Sequence, residues 1–121
     1  MDERKRSRLE EAGVNVEDVL ARFMNNEALM LKFLLRFPQD PNFALLQEAM
    51  ARQDLQGAYN AAHTLKGVAG NLSMTGLMAA VSAVVEDLRG GDLAAAADKL
   101  PALTEQYHKT VAAVTEAAQI P

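Results

Sequence analysis

His63 is one of two histidines in a chain of 121 residues, and its neighbours single it out. The run Ala62-His63-Thr64-Leu65-Lys66-Gly67-Val68-Ala69-Gly70-Asn71-Leu72 places a lysine three positions on and glycines four and seven positions on. An imidazole can attack as a nucleophile in its neutral form, through the lone pair of its unprotonated nitrogen. Helical spacing puts Gly67 and Gly70 beside His63, with Lys66 on the flank of the same face. Each glycine inside a helix costs roughly 1 kcal/mol relative to alanine. Two of them beside one histidine keep the surface around the imidazole bare, so that something large can approach it. An exposed His-x-x-Lys pair alone is compatible with an ordinary helix surface; the added glycines make the pattern specific.

The helix that must carry this face shows a clear apolar stripe. At about 100° per residue, Ala58, Ala61, Ala62, Leu65, Val68, Ala69 and Leu72 fall within about 60° of Leu65, and His63 lies roughly 160° from the centre of that stripe. Cap and turn residues divide the rest of the chain into helix-length pieces. Asn15 precedes a segment from Val16 to about Met24, and Asn25 and Asn26 are both candidate caps for Glu27 to Phe37. Pro41 opens a third segment, to about Gln53, and Asp54 caps the segment from Leu55 to about Leu72. Thr75 is a candidate cap for a segment ending at Arg89, before Gly90-Gly91. Asp92 caps the last, Leu93 to about Ala118, in which Pro101 predicts a kink.

No stretch alternates with period two. The reading is an all-α fold: an antiparallel four-helix bundle built from the last four segments, with two short N-terminal helices packed across it. Residues 1–12 read as a frayed end, because Arg4, Lys5, Arg6 and Arg8 are balanced by Asp2, Glu3, Glu10 and Glu11. Residues 13–118 form the single domain.

Composition removes several function classes. Cysteine is absent, which excludes a disulfide framework, a thiol redox site and a zinc finger. The two histidines are 45 positions apart, and no His/carboxylate cluster has ligand spacing, so no metal site and no cofactor is expected. A net charge of −4 argues against nucleic acid as a partner. No apolar run reaches the roughly 20 residues of a bilayer span. No signal peptide is visible, so a cytoplasmic location without membrane insertion is expected. His108, beside Tyr107, lacks neighbouring glycines and reads as a partly buried or surface histidine.

The run from Ala62 to Leu72 resembles the signature of histidine-containing phosphotransfer domains, the phosphorelay modules of two-component signalling. The segments around Gly13–Phe23 and Leu34–Phe37 are similar to the family's N-terminal helices, and Arg89-Gly90-Gly91-Asp92 to its turn before the last helix. The resemblance implies that His63 accepts a phosphoryl group from an aspartyl phosphate on a response-regulator receiver domain and passes it to another receiver. It implies receiver domains and a hybrid sensor histidine kinase as partners, with the chain itself monomeric. Lys66 would place a positive charge near the transferred oxygens, or would simply be solvated. The divalent cation and remaining catalytic groups would belong to the partner.

One position departs from the pattern. Some members carry a glutamine on the following helix, near the active histidine; none lies between Leu72 and Asp92, and Val85 stands there. Met78, Ser82 and Val85 form one ridge, so Met78 and Val85 are either an apolar docking patch, together with Gly67 and Gly70, or the edge of the core. Two other functions compete. An autokinase would need a phosphate-binding glycine loop, which is missing, so no autonomous kinase activity is expected. A non-catalytic helical-bundle interaction module would not need His63, Lys66 and Gly67 together.

Overall fold

The computed structural model describes residues 1–121 and is helical almost throughout, with no strand. In chain order the helices are α1 (Glu3–Glu11), α2 (Val16–Arg22), α3 (Glu27–Arg36), α4 (Asn42–Ala51), α5 (Leu55–Asn71), α6 (Thr75–Arg89) and α7 (Leu93–Gln119). A single 3-10 turn, Phe37–Gln39, lies between α3 and α4. Side-chain caps set five of the seven α-helix starts, that of α1 included. Asn15, Asn26, Asp54 and Asp92 each accept a hydrogen bond from the backbone N–H three residues on, satisfying a donor that the first helical turn leaves free. α7 runs on through Pro101 as one helix.

α5 is the central element for the site, with α4 and α6 packed along it and α7 against α6. Its inner stripe is made largely of alanine: Ala58, Ala61, Ala62 and Ala69 are buried with Leu65. Small side chains there let the neighbouring helices approach closely. α6 and α7 are further joined by an ion pair, Lys99 Nζ to Asp87 Oδ2 at 2.7 Å. Phe43 of α4 stacks on Tyr107 of α7, with ring centroids 4.0 Å apart.

Two readings from the sequence need correction. The first is the N-terminal end, which is helical rather than frayed. Asp2 caps α1 by accepting from the Arg4 and Lys5 N–H groups, and Leu9 is fully buried. α1 lies against α7, where Arg8 pairs with Glu116. Charge balance described the exposed side of this helix correctly but missed that Leu9, Ala12 and Val14 form an apolar anchor.

The second correction concerns Thr75. α6 begins without a side-chain cap, and the Thr75 hydroxyl instead donates to the Gly13 carbonyl at 2.9 Å. This bond belongs to a seam in which the segment after α1 clamps the α5–α6 turn. Gly76 N–H also donates to the Gly13 carbonyl, and Asn15 N–H to that of Ser73. Gly13, at φ +89°, approaches Gly76 so closely that a Cβ on it would lie 3.1 Å from the Gly76 Cα. Buried Ser73 donates its hydroxyl to Asp18, which, with Arg22, holds that carboxyl below its usual range.

Leu9→Ala tests whether α1 is an integral element. Removing a fully buried leucine costs about 2–5 kcal/mol, so urea unfolding should shift by that amount. A frayed end would leave the midpoint unchanged.

Candidate functional site

The outward face of α5 follows from burial of the opposite one. His63 and Gly67 are exposed, Lys66 and Gly70 half-buried. Around Gly67 the surface is bare, and a Cβ built there meets nothing within 4 Å. Gly70 differs, since Met78 of α6 lies over it and a Cβ there would sit 3.5 Å from the Met78 sulfur. The glycines therefore split into one open position beside His63 and one contact position beneath Met78. Val68, which the wheel places in the inner stripe, is only half-buried at its edge.

Met78 keeps 37% of its surface exposed, whereas Val85 is fully buried. Val85 is thus a core residue and not part of a docking patch. The apolar arc of α6, from Val84 through Leu77, Leu88 and Val81 to Val85, is about 100° wide, the usual width of a core-facing stripe. Val85 lies at its margin, inside the core; Met78 lies just beyond it.

The register of α5 against α6 brings in two residues that the sequence reading did not assign to the site. The antiparallel alignment that sets Met78 on Gly70 also brings Arg89 to Tyr59. Arg89 Nη2 donates to the Tyr59 hydroxyl at 3.5 Å. The Tyr59 ring in turn meets the His63 imidazole edge-on, with centroids 5.7 Å apart and planes at 83°. The spacing of Tyr59, four residues before His63, was legible; the partnership with Arg89 depends on helix pairing.

On the other flank of α5 an open groove of about 460 Å³ separates its C-terminal half from α3 and the following turn. Phe33, Arg36 and Phe37 line one side and Val68, Asn71 and Leu72 the other. The Arg36 guanidinium lies over the Phe33 ring, 4.8 Å from its centroid. The exposed glycine face is thus flanked by Met78 on one side and Phe33 on the other.

His108 is exposed, near Phe43 and Tyr107, and stands apart from any comparable bare surface. No group of three or more His, Cys, Asp or Glu side chains is placed to hold a metal ion. No helix is long and apolar enough to cross a membrane.

Val85 and Gly67 give opposite expectations for stability. Val85→Asp buries an unpaired carboxylate and should cost at least about 3 kcal/mol. Gly67→Gln places a better helix former in open space and should raise stability by up to about 1 kcal/mol. Thermal melts of both variants check the assignment of the two faces; a Val85→Asp protein as stable as the parent would return Val85 to the surface.

Comparison with curated proteins and with solved structures gives no match. A family model does match: that of the Hpt domain, over residues 33–114. The matched span begins inside α3 and ends inside α7, and it contains all of α4, α5 and α6 with His63, Lys66 and both glycines. The match covers more than half of the chain, which places its function in phosphotransfer within two-component signalling. The chain belongs to the Hpt domain family.

Proposed function

We propose that this protein is a phosphorelay intermediate whose phosphoryl carrier is His63. The observation that carries this reading is the open space at Gly67, one turn from an exposed imidazole. A receiver domain must bring an aspartyl phosphate to within a few ångströms of that imidazole, in line, and only a bare surface permits the approach.

The step itself is a simple exchange. The lone pair on Nε2 of neutral His63 forms the new N–P bond as the P–O bond to the receiver's aspartate breaks. The aspartate leaves as its carboxylate, and Nδ1 keeps its hydrogen, so no proton has to move. Transfer to a second receiver is the reverse exchange. Charge on the phosphoryl oxygens is the main obstacle, and Lys66 supplies a mobile cation one helical turn away. Gly67 is the point of closest approach, and Gly70 with Met78 forms the adjoining apolar contact for the receiver.

The phosphotransfer unit takes in α1 together with residues 13–118, with α4 to α7 as an antiparallel four-helix bundle and α2 and α3 across it. It acts as a cytoplasmic monomer between a hybrid sensor histidine kinase and response-regulator receivers. It has no kinase activity of its own.

Incubation with a panel of phosphorylated receiver domains tests the proposal. The parent should gain acid-labile, base-stable phosphate, and ATP alone should leave it unlabelled. His63→Gln should keep the helical circular dichroism and lose all label; label retained in that variant would move the site to His108. Lys66→Ala should fold normally and transfer about 5- to 150-fold more slowly, the equivalent of losing ~1–3 kcal/mol of charge-assisted hydrogen bonding. Gly67→Gln should fold and lose transfer severely. A parent that takes label from no receiver would leave a non-catalytic helical interaction module.

A further inference from the structure

The side-chain hydrogen bonds on the outer face of α5 run from Gln56 to Asn60 and from Thr64 to the Asn60 carbonyl, and leave His63 out. A surface histidine without such a bond samples several staggered rotamers, yet in-line transfer uses only one imidazole orientation. The aromatic neighbour of His63 is Tyr59, set edge-on at 5.7 Å. Edge-on pairing of aromatic rings at this separation is attractive, enough to weight one orientation several-fold over the others.

Tyr59 is itself held in place. It is half-buried and packed against the core. From α6, the Arg89 guanidinium reaches both its hydroxyl, at 3.5 Å, and its ring, at 5.9 Å from the centroid. Arg89 in turn pairs with Glu86 at 3.2 Å. A chain of contacts thus runs from Glu86 through Arg89 and Tyr59 to the imidazole, linking α6 to the reacting side chain across the helix seam.

We infer that Tyr59, tethered by Arg89, is a positioning residue that fixes the orientation of the His63 imidazole for phosphoryl transfer. The functional half of this inference rests on the phosphorelay reading; the orientational half does not. Tyr59 acts through its ring edge, so the hydroxyl matters only as the attachment point for Arg89.

Two substitutions separate positioning from simple packing. Tyr59→Phe keeps the ring and its contact with the Arg89 guanidinium and loses only the hydroxyl bond; Tyr59→Leu keeps apolar bulk and loses the ring edge. With a phosphorylated receiver that charges the parent, Tyr59→Leu should lower the maximal rate about tenfold or more, since small misplacements of reacting groups are costly. The half-saturating receiver concentration should stay within about twofold, because docking is untouched. Tyr59→Phe should stay within about threefold of the parent. Independently of any partner, NMR of the imidazole Hδ2 and Hε1 protons should show a ring-current displacement in the parent and in Tyr59→Phe, lost in Tyr59→Leu. Parent-like rates in Tyr59→Leu would overturn the inference, as would imidazole resonances that do not move. If no receiver charges the parent, the phosphorelay reading fails, and the NMR comparison still decides whether Tyr59 orients His63.

Discussion

The site depends on one constraint, the rotation of α5 about its own axis. That rotation is fixed by burying a stripe of alanines and one leucine between α4 and α6. Four alanines leave no bulky side chain to hold the neighbours away, so the helices close on α5 from both sides and cover one half of its circumference. What remains outside is His63, Gly67 and their flanks. Turning α5 by even one residue position, about 100°, would carry core alanines outward and bring Thr64 or Lys66 to the middle of the buried face, at the cost of apolar area that a small domain cannot lose.

The flanks are built by longer-range contacts. The seam between Gly13 and Gly76 joins the N-terminal segment to the α5–α6 turn and so sets where α6 begins. From that start, the antiparallel register along α5 follows: Met78 over Gly70 near the turn, Arg89 over Tyr59 at the far end. A contact far from His63 thereby determines what stands next to it. Stability and reactivity meet in the same geometry, since α5 bears an inner face packed for burial and an outer face kept open at a cost in helix propensity.

Much of this was legible in the sequence. Polar residues at helix starts act locally, and Asn15, Asn26, Asp54 and Asp92 cap the helices they precede. The outward direction of His63 could be read from the period of the apolar residues alone. Features that depend on a partner remote in sequence could not. Leu9 looks like one apolar residue in a charged run until α7 covers it. Thr75 looks like a cap until Gly13 arrives as an acceptor. Val85 lies at the margin of its helix's apolar arc, where a few degrees decide between core and surface, and neighbouring helices made it core. Tyr59 and Arg89 are 30 positions apart, and no local rule joins them.

The central claim is that the imidazole on the bare face of α5 carries the phosphoryl group. Long-range proton–nitrogen NMR of the ¹⁵N-labelled protein, recorded before and after charging by a phosphorylated receiver, reads this at the atom concerned. The account predicts that the Nε2 resonance of His63 shifts and couples to phosphorus, while both ring nitrogens of His108 stay where they were. Phosphorus coupling at His108, or phosphate stably bound with both imidazoles unchanged, would contradict it.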